Sequence, residues 1–204
     1  MFFDVIIEAV ARKIMPRKTI AVVPGSFKPP HRGHLEMIKR YSQMADEVVV
    51  LIGAPLVKSQ RLTVHGAAIT PEMAKRIFDI YIQDAGLTNV HTLVSASPSP
   101  IKAAYEFIEF KLKNVNVILG ASLKNDDYKR WDRTAAYFAE KNPSVKIIDP
   151  KSTAVDIMSA GGEHLSASDF RANLDNPDLI DKFLPPSVIE RGDKAKILAI
   201  LAGK

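Results

Sequence analysis

The residues best suited to chemistry are gathered in one stretch, Gly25-Ser26-Phe27-Lys28-Pro29-Pro30-His31-Arg32-Gly33-His34. His31 and His34 are three apart, so on a helix start both imidazoles can face the same loop mouth. Gly25 and Gly33 let backbone come close to a ligand. Lys28 and Arg32 add positive charge. Helix starts also carry unpaired N–H groups and the positive end of a dipole, and both suit phosphate. A lone histidine at such a place would read as an exposed or capping residue. Two histidines, two glycines and two cations at one junction point to an anion instead. A zinc pair is the competing chemistry, but it lacks a regularly spaced third ligand.

A second polar stretch lies far downstream, Leu165-Ser166-Ala167-Ser168-Asp169-Phe170-Arg171. Ser166 or Ser168 can cap a helix, and Ser166 with Asp169 resembles a capping box. Arg171 is then expected in the first helical turn. A cation there opposes the helix dipole unless an anion lies nearby.

The elements that must position these groups follow from periodicity. Thr19–Val23, Val48–Ile52, Val90–Ser95, Val115–Leu119 and Val145–Ile148 read as strands, several of them continuous apolar runs. Helices are expected from about Gly33 to Met44, over Pro71–Asp84 after a Thr70 cap, over Pro100–Lys113 and over Asp132–Lys141. Val155–Ser159 is a further candidate strand, and helices dominate from Ser168 onward. A long loop separates the second strand from the Pro71 helix. Alternation of this kind predicts an α/β fold. The expected architecture is a Rossmann-like, doubly wound parallel sheet with helices on both faces and a helical C-terminal segment. The first motif then sits at the carboxyl end of the first strand, where open sheets bind ligands.

The 204 residues carry 28 Lys and Arg against 23 Asp and Glu, a net charge of +5. Residues 1–61 hold all of that excess, and the remainder is neutral. The excess suits a phosphate site or a nucleic-acid surface. No aromatic-basic stripe or recognition motif supports nucleic acid, which is therefore not expected as a partner. The chain has no cysteine. That excludes disulfides, thiolate zinc sites and cysteine nucleophiles, and it fits a reducing, cytoplasmic setting. No apolar run reaches the roughly 18 residues of a membrane span. Phe3, Ile6, Ile7, Val10 and Ile14 recur at helical spacing. Residues 1–18 are thus expected to form an amphipathic helix appended to a domain over 19–204. That helix and those after Pro186 are candidate subunit contacts of a homo-oligomer.

The first motif resembles Gly-x-Phe-Asp-Pro-x-His-x-Gly-His, a signature of the nucleotidyltransferase superfamily that shares the HIGH motif with class I aminoacyl-tRNA synthetases. Lys28 stands where that family has Asp; every other fixed position matches. The downstream stretch resembles the family's Ile-Ser-Ser-Thr-x-Ile-Arg, with Ala167 in place of the middle hydroxyl. Val117–Ser122 resembles its strand ending in Gly-x-Asp, with Ser122 replacing Asp.

The resemblance implies transfer of a nucleotidyl group, adenylyl first of all, from ATP or CTP to a phosphorylated acceptor, with release of pyrophosphate. His31, His34, Lys28 and Arg171 would act on the phosphates. Gly25, Ser26, Phe27, Gly33, Ser166 and Ser168 would shape the nucleotide site. Gly120, Ser122, Trp131 and Arg61 would meet the acceptor, with Trp131 stacking on its ring. Gly53-Ala54-Pro55 also falls where the family recognises acceptor or phosphate. Mg²⁺ would be held mainly by the nucleotide.

The Phe-x-Pro-Pro-His-x-Gly-His form and the length look most like the nicotinate or nicotinamide mononucleotide adenylyltransferases of NAD biosynthesis. Phosphopantetheine adenylyltransferases are usually shorter and replace the first His. A cytidylyltransferase acting on a phospho-alcohol is an alternative. So is a catalytically silent nucleotide-binding module, which the departures at Lys28, Ala167 and Ser122 keep open. Asp126 and Asp127 are expected to face water, and His65, His91 and His164 have no evident partners.

Overall fold

A computed structural model describes residues 17–54, 61–63, 66–156 and 165–204. Residues 1–16 of the expected N-terminal helix lie outside them, as do His65, His164 and residues 55–60 and 64 of the loop after the second strand.

Five strands form one sheet: β1 (Thr19–Gly25), β2 (Glu47–Gly53), β3 (Val90–Ser95), β4 (Asn116–Leu119) and β5 (Lys146–Ile147). Their order is β3-β2-β1-β4-β5, and every pairing is parallel. The helices between them are α1 (Arg32–Met44), α2 (Pro71–Asp84), α3 (Pro100–Lys111), α4 (Thr134–Lys141) and a single turn, α5 (Pro150–Thr153). Four short helices close the chain: α6 (Ala167–Ala172), α7 (Pro177–Ile180), α8 (Pro186–Glu190) and α9 (Lys194–Leu201).

Successive residues of a strand face opposite sides of a sheet. Ala21, Val23, Val48, Val50 and Ile52 accordingly pack with Leu35 and Ile38 of α1 and with Ile77 and Phe78 of α2. The C-terminal segment covers the same face through Phe170, Val188 and Ile197 of its helices and Leu184 between them. Val22, Val49, Leu51, Val117 and Leu119 face the other way, onto Ala104 and Ile108 of α3 and Phe138 of α4. This two-faced burial is why the strands read as unbroken apolar runs.

The Thr70 cap stands as the sequence implies, its hydroxyl accepting from the Met73 N–H at 3.1 Å. Two elements differ from expectation. The helix expected from Asp132 starts at Thr134 and is preceded by a 3₁₀ segment, Lys124–Trp131, in which Asn125 and Asp126 adopt left-handed φ values of 54° and 55°. The strand expected over Val155–Ser159 is, among the described residues, a single bridge between Val155 and Ser122.

Tyr41 ties α1 to the carboxyl end of β4. Its buried hydroxyl accepts from the Ala121 N–H at 2.9 Å and lies 2.9 Å from the Ala121 carbonyl and 3.2 Å from that of Thr153. Tyr41→Phe strands that N–H without a partner and is expected to cost about 1–3 kcal/mol. A urea midpoint unchanged from wild type would refute the brace.

Candidate active site

The turn out of β1 is shaped by packing as much as by ligand access. A Cβ on Gly25 would lie 2.5 Å from the Phe27 ring, so glycine is required there. Phe27 adopts φ 46° and folds its buried ring inward. That ring meets Phe78 edge-on at 4.8 Å and His34 at 5.1 Å between centroids, a favoured aromatic geometry.

His31 sits at the N-cap of α1 and is 6% exposed. Its backbone N–H donates to Nδ1 of His34 at 3.2 Å, and the two imidazoles stack with centroids 3.7 Å apart. An Nδ1 that accepts assigns the proton of neutral His34 to Nε2, the nitrogen left for a ligand. Burial, then the neighbouring Arg32 charge, pushes His31 down to about 4. Burial, then His31, holds His34 well below the usual histidine range. Both rings are therefore neutral near pH 7. Nδ1 of His31 is buried without a hydrogen-bond partner among the described residues.

Three cations gather beside this turn. Lys28 is only 4% exposed, and burial, then Arg61, lowers its ammonium pKa, with Glu72 opposing. Burial, then Arg61, likewise lowers that of Arg171. Arg171 donates through Nη1 to the Lys28 carbonyl and through Nη2 to the Ser168 hydroxyl, the latter at 2.9 Å. The downstream motif is thus bonded directly to the first. Its helix forms with the Ser166 hydroxyl accepting from the Asp169 N–H at 3.0 Å. Arg171 occupies the last turn of that six-residue helix, not the first. The dipole argument for an anion therefore lapses, and the case for one rests on the clustered charges instead.

Strand order reverses between β1 and β4, and a cleft of about 310 Å³ opens at the carboxyl ends of these two strands. Such a switch point is where open parallel sheets bind ligands. One wall comes from the β1–α1 turn: Gly25, Ser26, Phe27, His31, Gly33, His34 and Met37, with Pro24 at its base. The other comes from the end of β4 and the 3₁₀ segment: Ser122, Lys124, Asp127 and Arg130. Leu165 closes one side.

Several sequence-predicted residues stand elsewhere. Trp131 is 1% exposed, packs with Tyr105 in the α3 face of the core and donates Nε1–H to the Gly120 carbonyl at 3.3 Å. It stacks on no ligand from there; Arg130, one residue earlier, lies over its ring at 4.9 Å and faces the cleft. A Cβ on Gly120 would come within 2.9 Å of Val23, so that glycine serves the close approach of β4 to β1. Arg61 joins the cations around Lys28 and Arg171 and does not line the cleft. Gly53 packs on Pro100 and also stays out of it. Asp127, expected to face water, lines the cleft with both oxygens engaged: Oδ2 accepts from the Ser122 N–H at 3.1 Å and Oδ1 pairs with Arg130 at 3.1 Å. Asp126 is exposed and pairs with Lys129. His91 finds a partner on the surface, Glu47, at 2.7 Å. Pro24, Met37, Lys124, Asp127 and Arg130 also line the cleft, and the sequence does not mark them as site residues. The one signal for the last three was their position just past a strand ending in Gly120.

Residues 22–171 match a family model described as cytidylyltransferase-like. Phosphopantetheine adenylyltransferase of Syntrophus aciditrophicus is 53% identical over 48 residues, 24% of this chain and 29% of that one. Its counterpart in Vesicomyosocius okutanii is 28% identical over 117 residues, 52% of this chain and 72% of that one. The match to the first of these relatives thus spans less than a third of its length. Among solved structures, Plasmodium falciparum nicotinic acid mononucleotide adenylyltransferase superposes with a TM-score of 0.56 at 16% identity, over 90% of this chain and 98% of that one. A bifunctional NMN adenylyltransferase/ADP ribose pyrophosphatase from Francisella tularensis gives 0.52 at 18% identity, over 91% and 52%. At these identities the likeness is one of fold.

Proposed function

The chain belongs to the cytidylyltransferase-like family, and from that premise we propose that it transfers an adenylyl group from ATP to a phosphorylated small-molecule acceptor. The observation that carries this reading is the pair of stacked, neutral histidines at the end of β1, set beside Lys28, Arg61 and Arg171.

A phosphate oxygen of the acceptor attacks the α-phosphorus. The bond from that phosphorus to the bridging oxygen breaks, and pyrophosphate leaves with the electron pair. The step needs in-line placement and relief of developing charge, and no protein nucleophile. Nε2–H of His34 and the neutral ring of His31 would donate to the α-phosphate oxygens. Lys28, Arg61 and Arg171, with the Ser168 hydroxyl, hold the β and γ phosphates. Asp127 is the one carboxylate lining the cleft among the described residues, and both its oxygens are taken. The donor set therefore suits a Mg²⁺ carried in on the phosphates, where it would neutralise charge.

Relatives by sequence are named for phosphopantetheine and neighbours by fold for pyridine mononucleotides, and both acceptors suit this chemistry. Pyrophosphate release should be assayed with four nucleoside triphosphates against both acceptor classes and phospho-alcohols. The expected result is turnover with ATP and one phosphorylated acceptor. CTP turnover with a phospho-alcohol would select the cytidylyltransferase alternative. Triphosphate binding without turnover would select a silent module and overturn the proposal.

Arg171→Ala is expected to weaken triphosphate binding about tenfold or more, through loss of a charge-assisted contact, and to affect acceptor binding less. Equal triphosphate affinity in calorimetry of variant and wild type would refute that role.

A further inference from the structure

We infer that Arg130 is the residue that recognises the phosphate of the acceptor, a specificity-determining role on the cleft wall opposite the histidines. The inference rests on the transfer reading above and begins from backbone hydrogen bonding at the end of β4.

Five consecutive N–H groups there are already spent. Gly120 donates to the Val22 carbonyl, Ala121 to the Tyr41 hydroxyl and Ser122 to Asp127 Oδ2. Leu123 donates to the Val155 carbonyl and Lys124 to the Ser122 hydroxyl. An anion on this wall finds no free backbone donor in residues 120–124, so side chains must supply them. Two cationic side chains line the wall, Lys124 and Arg130.

Arg130 is the one fixed in advance. Nη2 donates to the Gly120 carbonyl at 2.8 Å, Nη1 pairs with Asp127 Oδ1 at 3.1 Å, and the guanidinium lies over the Trp131 ring. One guanidinium N–H is thereby spent in a hydrogen bond, to the Gly120 carbonyl, and Nη1 faces Asp127 as an ion pair, which leaves further N–H donors for an anion. The side chain is still 30% exposed, at the cleft. A guanidinium already held in place loses little freedom on binding an anion, which favours it over a mobile lysine. Asp127 and Trp131 are positioning residues acting through Arg130.

Reaction geometry assigns the anion to the acceptor. Pyrophosphate departs toward the cations around Arg171, on the β1 side. In-line attack requires the nucleophile to approach from the side opposite the leaving group, which leaves the acceptor to the cleft wall lined by Ser122, Lys124, Asp127 and Arg130.

The test compares wild type, Arg130→Gln and Arg130→Lys. Calorimetry with nicotinamide mononucleotide, nicotinate mononucleotide and phosphopantetheine, each beside its dephosphorylated form, gives the preference for the phosphate. Arg130→Gln is expected to shrink that preference about tenfold, as for a lost charged hydrogen bond. Affinity for a non-hydrolysable ATP analogue should stay within about twofold and the thermal midpoint near wild type, with Arg130→Lys restoring part of the loss. An unchanged preference, or a loss of analogue affinity as large as the loss of acceptor affinity, would overturn the assignment. Pyrophosphate release by the wild type reports the transfer reading separately. Turnover with an unchanged preference removes the Arg130 role alone; absence of both turnover and acceptor binding removes both.

Discussion

His34→Ala is expected to lower kcat about a hundredfold, the usual scale for deleting one preorganised donor to developing negative charge. Two jobs of the ring must be separated to read that loss. Nδ1 accepts the His31 N–H and fixes the start of α1, while Nε2 is the nitrogen left for a ligand. Asparagine can keep an acceptor near the first position without reaching the second, and glutamine reaches the second. His34→Asn should therefore hold the thermal midpoint better than His34→Ala yet lose turnover. His34→Gln should regain part of the turnover. Full activity in His34→Asn would show that the ring is only a cap.

The second large effect is on stability. In the unfolded chain His31 takes up a proton near its ordinary 6.5; in the fold it does so only at about 4. Between those values the unfolded chain binds more protons, so stability falls as pH falls. The contribution is complete above pH 6.5 and lost once pH has passed below 4. The interval corresponds to about 3 kcal/mol. His34, shifted the same way, adds to it. Carboxylates contribute their own slope in this range, so the measurement is a difference. Urea unfolding from pH 7 to pH 4 should fall more steeply for wild type than for His31→Asn. Parallel curves would show that His31 titrates freely in the fold. For the same reason the two histidines should add no inflection near 6.5 to the pH dependence of kcat/KM beyond those of the substrates' own phosphates.

Much of this architecture is legible from local signals. The Thr70-Pro71 start marks α2 to the residue, and runs such as Val48–Ile52 mark strands because the sheet is covered on both faces. The paired histidines are legible because both lie on one short stretch beside a strand. What stays hidden depends on contacts distant in sequence. The 3₁₀ segment has no apolar period, and its left-handed Asn125 and Asp126 follow no glycine signal. Arg130 gains its meaning from lying at the cleft and over Trp131. The depth of Trp131 itself is set by packing with Tyr105 and the Gly120 carbonyl. Ser166 rather than Ser168 caps α6, so the helix starts at Ala167 and Arg171 falls beyond its first turn.

The saturated backbone after β4 has a consequence for how such a site can change over time. Over residues 120–124 that wall offers a ligand side chains and no free amide, since every N–H there is committed to holding the fold. A single codon change at Lys124 or Arg130 can then redraw the wall's preference while the sheet's own hydrogen bonds stay in place.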